Sequence, residues 1–329
     1  MGFDFTDRTV LITGGTGSFG KACLELLLAE HQPQSVRVFS RDELKQFEMQ
    51  QHYRGESRVR FFIGDVRDRE RLIRATRGCD VIIHAAALKQ VPACEYNPFE
   101  AVQTNVVGAE NVIAAAIAND VPHTVQLSTD KAVNPVNLYG ATKLAAEKIM
   151  TQGNAYSSRS GVKLANVRYG NVVGSRGSVV PLFMEQARSG ELTVTDNRMT
   201  RFWITLRQAV EFVFSRLAVM DGGEIFIPKI PSMRVADIAE AIAPEARLRT
   251  IGIRPGEKLH EVLLTEDESR HAYEVDDGYV IVPEFHPWRS EPWSIGRPVT
   301  DGFRYSSDSN TAWLGAEELR AILPSLTTE

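Results

Sequence analysis

The chain has 329 residues, of which 43% are hydrophobic and 24% are charged, so it is long and apolar enough to bury a sizeable core. Its formal net charge of −5 excludes the strongly basic surface of most nucleic-acid-binding proteins. No apolar run approaches the roughly 20 residues that a membrane-spanning helix needs, so no membrane partner is predicted. The three scattered cysteines suit the reducing cytoplasm, where thiols stay free.

The first half of the chain alternates short apolar runs with segments of helical periodicity. Such alternation is typical of parallel β-α-β units with right-handed crossovers. The strands are almost continuously apolar, which indicates a sheet that helices cover on both faces. In chain order the pattern predicts strand Thr9–Thr13, helix Ser18–Ala29, strand Ser35–Ser40, helix Glu43–Gln51, strand Val59–Ile63, helix Arg69–Thr76, strand Val81–His84, helix Phe99–Asn119, strand Thr124–Leu127, helix Tyr139–Met150 and strand Lys163–Val167.

The rhythm changes after about Tyr169, where glycines and arginines cluster and prolines then punctuate shorter elements. We therefore predict an α/β protein with two parts. Residues 1–170 form a Rossmann-like, doubly wound parallel sheet. Residues 171–329 form a smaller, mixed α/β substrate region that is interleaved with the first part.

A glycine-rich loop joins the first strand to the first helix, with three glycines spaced three residues apart. Glycines there permit a tight turn and a close approach of the backbone to a pyrophosphate. The helix N-terminus adds unpaired N–H groups for the phosphates. An ordinary strand-to-helix turn is the alternative, but the position after the first strand favours a dinucleotide. The loop residues expected at the cofactor are Gly14, Thr16, Gly17, Ser18, Phe19 and Gly20.

Charged residues follow the second strand, where such proteins distinguish NADP from NAD. Arg41 and, one helical turn later, Lys45 suit the 2′-phosphate of NADP, whereas Asp42 keeps NAD possible. After the third strand, Asp65 is placed to meet the adenine, although it also suits a plain turn. The residues predicted at this end of the cofactor are Ser40, Arg41, Asp42, Lys45, Asp65 and Val66.

Two ionisable side chains lie four residues apart in the helix after the fifth strand. Tyr139 and Lys143 therefore share one helix face. A tyrosine has a pKa of about 10, so a tyrosine base near neutral pH needs about 4 kcal/mol of stabilisation of its phenolate. One cation about 4 Å away supplies roughly that much. A surface pair is the alternative, but the glycine loop upstream favours a catalytic pair.

Stretches along nearly the whole chain match one known family. They are Thr13–Lys21, Ser40–Gln46, Phe61–Asp68, His84–Pro92, Ser128–Lys148, Arg168–Pro181, Met199–Leu206, Gly222–Met233, Gly252–Glu261 and Tyr305–Asp308. On these stretches the chain resembles the inverting UDP-N-acetylglucosamine 4,6-dehydratases of pseudaminic acid biosynthesis, within the extended short-chain dehydrogenase/reductase superfamily. The resemblance implies NADP bound by residues 1–170, a UDP-sugar bound by residues 171–329, and a homo-oligomer, since hexamers occur in this family.

The resemblance implies a role for each catalytic residue. Tyr139 takes the O4 proton as hydride leaves C4, and Lys143 holds the nicotinamide ribose and lowers the tyrosine pKa. Other sugar-nucleotide 4,6-dehydratases carry Asp-Glu where this chain has Asp130 and Lys131. By analogy, Asp130 protonates the departing 6-hydroxyl and Lys131 is the base at C5. A neutral lysine needs its pKa to fall from about 10.4 to about 7, and a structural ion pair is the alternative.

The resemblance also identifies residues around the substrate and the cofactor. The cations among them suit a diphosphate, and the glutamate suits the uridine ribose, although each arginine also fits a solvated surface. The expected substrate-binding residues are Lys89, Thr129, Asn171, Arg176, Arg201, Arg254 and Glu257. The further expected cofactor contacts are Ala85, Ala87, Lys89, Tyr139 and Lys143. No metal is expected, because the histidines lack the spacing of metal ligands.

The predicted function is that of an NADP-dependent lyase that dehydrates UDP-N-acetylglucosamine with inversion at C5. Its product would be UDP-2-acetamido-2,6-dideoxy-β-L-arabino-hexos-4-ulose; the inversion and the pathway come from the resemblance alone. A UDP-sugar 4-epimerase is one alternative, because it shares the Tyr-Lys pair without needing groups for the loss of water. A non-catalytic NADP-sensing regulator is the other, and Tyr139 and Lys143 count against it.

Overall fold

The computed structural model describes residues 2–157, 161–173, 179–288 and 293–326. Its strands are β1 (Thr9–Thr13), β2 (Ser35–Ser40), β3 (Val59–Ile63), β4 (Val81–His84), β5 (His123–Thr129), β6 (Lys163–Tyr169), β7 (Asn171–Val172), β8 (Glu191–Val194), β9 (Thr200–Ile204), β10 (Ile225–Pro228), β11 (Ser232–Arg234), β12 (Arg247–Thr250), β13 (Val262–Leu264), β14 (Ala272–Val275), β15 (Gly278–Ile281), β16 (Arg297–Pro298) and β17 (Tyr305–Ser306). Its α-helices are α1 (Ser18–Glu30), α2 (Glu43–His52), α3 (Arg69–Thr76), α4 (Val91–Tyr96), α5 (Pro98–Val102), α6 (Gly108–Ala118), α7 (Leu138–Ser157), α8 (Val179–Ala187), α9 (Leu206–Leu217), α10 (Val235–Ile242) and α11 (Ala316–Leu326).

A ten-stranded sheet runs through the molecule in the order β16-β14-β15-β10-β6-β5-β4-β1-β2-β3. Neighbours from β10 to β3 are parallel, and β15, β14 and β16 extend the sheet with antiparallel pairs. The predicted Rossmann-like, doubly wound sheet is therefore confirmed. The order in which strands are added reverses between β1 and β4: β2 and β3 follow on one side of β1, and β4, β5 and β6 follow on the other. Open α/β sheets bind their ligands at such a point. Since β10 and β14–β16 come from the second half of the chain, both halves contribute to one sheet.

The central strands are buried on both faces because successive side chains point to opposite sides. In β1, Val10 and Ile12 join the cluster that packs against α1. Leu11 points the other way and packs with Leu72 of α3 and Val112 of α6. Near-continuous burial explains why the strand sequence TVLIT lacks the polar alternation of a one-sided sheet.

The structure differs from the predicted helices at three places. The short helix α4 was not predicted. The predicted helix Phe99–Asn119 is α5 and α6 joined by a π-helical turn at Gln103–Val107. Helix α7 runs to Ser157, beyond its predicted end at Met150, because Gly153 is a close-packing position rather than a helix end. A Cβ at Gly153 would lie 2.8 Å from a Leu164 methyl carbon.

The second half of the chain also forms smaller units beside the sheet. Strands β11, β9 and β7 pair in that order, and β12 pairs with β8. A separate core of Phe183, Trp203, Met233 and Ile238 packs between α8, α10 and these strands. Over the described ranges, the helices are all too short or too polar to cross a lipid bilayer.

Candidate active site

A cleft of about 560 Å³ lies at the carboxyl ends of β1, β4 and β5, where the strand order reverses. Most of the predicted site residues line it, namely Gly14, Thr16, Gly17, Ser18, Phe19, Gly20, Ser40, Arg41, Lys45, Asp65, Val66, Ala85, Ala87, Lys89, Thr129, Lys131, Tyr139, Lys143 and Asn171. The predicted residues outside this lining are Asp42, Asp130, Arg201, Arg254 and Glu257. Arg176 lies outside the described residues.

The glycine loop forms one end of the cleft. Gly14 has a φ of +66°, and a Cβ there would lie 2.8 Å from the backbone nitrogen of Ala86. A Cβ at Gly20 would lie 2.5 Å from the Cα of Gly15, so α1 packs directly on the loop. No side chain caps the start of α1, whose first turn lines the cleft. The N–H groups of that turn therefore suit an anionic ligand such as a pyrophosphate.

We expect Gly14→Ala to weaken dinucleotide binding by about tenfold or more, since the added Cβ displaces the backbone of Ala86 at the cleft wall. The measurement is calorimetric titration of the variant with NADP. Gly78→Ala is the matched control, because Gly78 has nearly the same φ of +68° but no atom within 4 Å of a Cβ. Equal binding by both variants and the wild type would contradict this role of Gly14.

At the end of β2, the acidic residue Asp42 binds Lys45 and is not part of the cleft lining. The Asp42 carboxylate accepts a bond from the Lys45 backbone N–H at 3.0 Å and contacts Lys45 Nζ at 2.5 Å. These bonds from Lys45 hold the pKa of Asp42 below its usual value. Arg41 remains at the cleft, where its guanidinium lies 3.7 Å from Asp65, which Arg67 also binds at 2.7 Å. The cations therefore face this end of the cleft, and Asp42 caps α2.

Tyr139 stands in the wall of the cleft and is 8% exposed. Burial raises its pKa to about 12, although Lys131 and a hydrogen bond with the Thr129 side chain act in the opposite direction. Without a bound cofactor, burial therefore outweighs the neighbouring charge, and the pKa of Tyr139 lies above its usual value instead of below it as expected. The sequence could not show this, because burial is a property of the folded chain.

Lys143 lies one helical turn from Tyr139 and is buried beneath the cleft. Its Nζ donates a 2.7 Å bond to the carbonyl of Leu127. Burial lowers its pKa to about 8, against the opposing charge of Glu147. Burial and the Lys143 charge also lower the pKa of His84 to about 3, so His84 is neutral. Lys143 thus has donor capacity left for a ligand that enters the cleft.

Asp130 and Lys131 form a charged pair after β5. Lys131 Nζ lies 3.0 Å from Asp130 Oδ1, which also accepts a 2.8 Å bond from Thr129 Oγ1. Burial would lower the pKa of Lys131, but Asp130 and Glu261 outweigh it and raise that pKa. Burial would raise the pKa of Asp130, but Lys131 and the hydrogen bonds outweigh it. Lys131 is therefore an ammonium at the cleft wall, and Asp130 is a carboxylate buried behind it.

Two charged residues near this pair, Lys258 and Glu261, were not predicted individually. Lys258 Nζ donates to the carbonyls of Asp130 at 3.1 Å and Val133 at 2.8 Å, and it lies 3.1 Å from the Glu261 carboxylate. Arg201 donates to the carbonyl of Lys258 at 3.0 Å and is 8% exposed, so it packs against this segment rather than lining the cleft. The signal in the sequence that could have identified Lys258 and Glu261 was their Lys-x-x-Glu spacing within Gly252–Glu261.

Two of the residues expected at the substrate carry orphaned polar atoms. Asn171 Oδ1 and Glu257 Oε2 are buried and have no hydrogen-bond partner among the described groups. Arg254 lies 3.9 Å from Glu257 and is half-exposed. Burial and the Lys131 charge lower the pKa of Lys89, which lines the cleft. Unpaired buried acceptors and a nearby cation are features of a site that takes a polar ligand.

Known proteins resemble the chain over nearly its full length. The UDP-N-acetylglucosamine 4,6-dehydratase (inverting) of Campylobacter jejuni subsp. jejuni serotype O:2 is 50% identical over 97% of this chain and 98% of that protein. The UDP-glucose 4-epimerase of Rickettsia canadensis is 40% identical over 98% of this chain and 97% of that protein.

A solved structure and a family model agree with these relatives. The X-ray structure of Pen from Bacillus thuringiensis matches with a TM-score of 0.88 and 41% identity, over 98% of both chains. The family model described as "Polysaccharide biosynthesis protein" matches residues 10–283. The chain therefore belongs to this polysaccharide biosynthesis protein family, within the extended short-chain dehydrogenases/reductases.

Proposed function

We propose that the protein is an NADP-dependent UDP-N-acetylglucosamine 4,6-dehydratase, a lyase that inverts C5 as the first step towards pseudaminic acid. The observation that carries the proposal is that one cleft presents Lys131, paired with Asp130, beside Tyr139 and Lys143. A Tyr-Lys pair alone suits oxidation at C4, as in an epimerase. The charged Asp-Lys pair supplies the groups that loss of water requires. The 50% identity to a dehydratase of this name supports the substrate.

The cleft residues fit a dinucleotide. The crowding around Gly14 supports a loop suited to close backbone contact, and the first turn of α1 has N–H groups that suit a pyrophosphate. Arg41 and Lys45 support NADP rather than NAD, because Asp42 is held by Lys45. We assign the cofactor to residues 1–170 and the UDP-sugar to residues 171–329, with Asn171 and Glu257 as candidate ligands. The product would be UDP-2-acetamido-2,6-dideoxy-β-L-arabino-hexos-4-ulose.

We expect Arg41→Ala to raise the dissociation constant for NADP by about 10- to 100-fold, because a charge-assisted contact with the 2′-phosphate is lost. The dissociation constant for NAD should stay nearly unchanged. Both constants are measured by calorimetric titration, with Arg69→Ala as the control, since Arg69 is equally exposed on α3. Parallel weakening of NADP and NAD would contradict the assignment of Arg41.

Oxidation at C4 is assigned to Tyr139. A bound nicotinamide would supply an acceptor for hydride from C4 and a hydride donor for C6. Tyr139 Oη takes the O4 proton, and its high pKa means that the phenolate forms only with positive charge nearby. Lys131 is the largest such contribution among the described groups. We assign Lys143, whose Nζ also bonds the Leu127 carbonyl, to the nicotinamide ribose. The resulting 4-keto group acidifies the C5–H bond.

Loss of water is assigned to Asp130 and Lys131 acting together. Only Lys131 lines the cleft, so its Nζ is the atom that exchanges protons with the sugar. Transfer of one proton from Nζ to Asp130 Oδ1 across 3.0 Å turns the ion pair into a neutral pair. The neutral amine then takes the C5 proton as the C6–O bond breaks. The pair returns one proton to the departing hydroxide, so its proton count is unchanged. Return of hydride to C6 would leave an enolate, whose C5 takes a solvent-exchangeable proton, and Tyr139 releases the O4 proton to solvent, so the reaction balances.

Mass spectrometry of the product tests this function. Incubation with UDP-N-acetylglucosamine and NADP is expected to give a UDP-sugar that is lighter by one water. A C4-epimerised UDP-sugar, which has the mass of the substrate and is distinguished from it by NMR, would instead indicate a 4-epimerase, the activity named for the 40% identical relative. Unchanged starting material would favour a non-catalytic NADP-binding regulator.

We also propose that the protein acts in the cytoplasm as a homo-oligomer. Tyr96 and Phe99 are 88% and 78% exposed on α4 and α5, which supports burial of this surface against another copy. Cys23, Cys79 and Cys94 are free, buried thiols, as a reducing compartment allows. Sedimentation analysis tests the assembly, and a monomer would contradict it.

A further inference from the structure

A buried carboxylate outside the cleft lining faces the Asp130–Lys131 pair. Glu261 lies just before β13 and is 2% exposed. Its Oε1 is 3.8 Å from Lys131 Nζ and 3.8 Å from Arg201 Nε. Its Oε2 is 3.1 Å from Lys258 Nζ. Three cations from different segments therefore converge on one carboxylate.

The backbone of Glu261 is hydrogen-bonded to Ser307 through both its N–H and its carbonyl. The Glu261 backbone N–H donates to Ser307 Oγ at 2.9 Å, and the Glu261 carbonyl accepts from the Ser307 N–H at 2.8 Å. Lys258, which Glu261 binds, donates to the carbonyls of Asp130 and Val133, on either side of the turn after β5. Glu261 thus restrains both the backbone of that turn and the amine that the turn presents.

We propose that Glu261 is a positioning residue that fixes the Lys131 ammonium at the cleft wall and sets how readily that nitrogen releases its proton. The proposal rests on the proposed function, because it concerns the loss-of-water step. Glu261 acts through Lys131 and does not line the cleft. Its loss should therefore slow dehydration, where Lys131 moves protons, more than oxidation at C4, where Lys131 acts on Tyr139 only through its charge.

The surrounding charges explain the direction of the effect. Glu261 and Asp130 both favour the ammonium form of Lys131 and outweigh burial and Arg201. Removal of the Glu261 charge leaves Asp130 as the remaining anion beside Lys131, so the pKa of Lys131 falls. The titratable or charged groups that face Lys131 and Glu261 in the described chain are Asp130, Arg201, Lys258, Lys89 and Tyr139.

Stopped-flow kinetics of Glu261→Gln test the proposal. Oxidation at C4, followed by the absorbance of reduced nicotinamide, should proceed with KM unchanged. Loss of water should slow about 100-fold, since the lysine is misplaced, and reduced nicotinamide should accumulate. The limb of the pH–rate profile that Lys131 sets should move to lower pH. Glu266→Gln is the control, because this carboxylate is 57% exposed and pairs only with Arg304 among described groups.

Dehydration at the wild-type rate with an unshifted pH profile would overturn the proposal. A double-mutant cycle of urea denaturation, with Glu261→Gln and Lys131→Met, tests the contact between the two side chains without an activity assay. It therefore applies even if Glu261→Gln is too unstable for kinetics. Glu261→Gln should lower the urea midpoint less in the Lys131→Met background than in the wild type, because the Lys131 cation that loses its partner is already absent there. Equal shifts in both backgrounds would also overturn the proposal. Wild-type protein that forms no dehydrated sugar would instead contradict the proposed function.

Discussion

Tyr139→Phe is expected to lower kcat by about 1,000-fold or more while UDP binding is retained, because the ring keeps its packing but can no longer accept the O4 proton. The ring packs with Cys94 and Ala101, and phenylalanine preserves that contact. Product formation is followed by NMR, and UDP affinity by calorimetry. The loss should persist at every pH, because burial raises the pKa of Tyr169, the other described phenol in the cleft lining, so that it does not replace Tyr139 as a base.

Tyr156→Phe is the matched control for this variant. Tyr156 lies on the same helix, α7, but its side chain is 83% exposed. Its substitution removes the same hydroxyl without touching the cleft, so kcat should stay at the wild-type value. Full activity of Tyr139→Phe would remove Tyr139 from the mechanism, whereas loss of UDP binding would show that the variant disturbs the cleft.

Arg168→Met is expected to lower the free energy of unfolding by about 3–5 kcal/mol, because it leaves buried carboxylates without their counter-charge. Arg168 is fully buried in β6 and binds Glu147 of α7 at 2.7 Å and Glu268 at 2.9 Å. It also donates to the carbonyl of Leu263 at 2.8 Å. One guanidinium thus joins the sheet, the helix that carries Tyr139 and a segment of the second half.

Urea denaturation measures this loss against Arg207→Met. Arg207 also binds two carboxylates, those of Glu30 and Glu211, but its side chain is 60% exposed. Water replaces its contacts, so its substitution should leave the unfolding midpoint nearly unchanged. The double variant Glu147→Gln/Arg168→Met should be more stable than Arg168→Met. Equal stability of the Arg168 and Arg207 variants would contradict the structural role of the buried ion pairs.

Local signals in the sequence predicted much of the fold. Helix Arg69–Thr76 was predicted to the residue, because Asp68 caps its start with a bond from the Arg71 N–H. The π-helical turn at Gln103–Val107 was missed, since its residue Asn105 bonds distant groups, including Thr142 Oγ1 at 3.0 Å. Such contacts form only after folding and have no local signature.

In the candidate site, too, residues with a local sequence pattern were predicted, and contacts between distant segments were not. Gly14, Tyr139 and Lys143 could be found because their spacing is local and their position after a strand is diagnostic. The Lys258 bond to the Asp130 carbonyl joins residues 128 positions apart, so no spacing pointed to it. The protonation of Lys131 was equally inaccessible, because it depends on two carboxylates that the fold brings together.

Incubation of the protein with UDP-N-acetylglucosamine and NADP in deuterated water, followed by NMR, tests the central claim most directly. If Tyr139 and the Asp130–Lys131 pair act on one sugar in one cleft, as we propose, the product is a 4-keto-6-deoxy sugar with deuterium at C5 and inverted configuration there. A C4 epimer that keeps its 6-hydroxyl and carries no deuterium at C5 would contradict it.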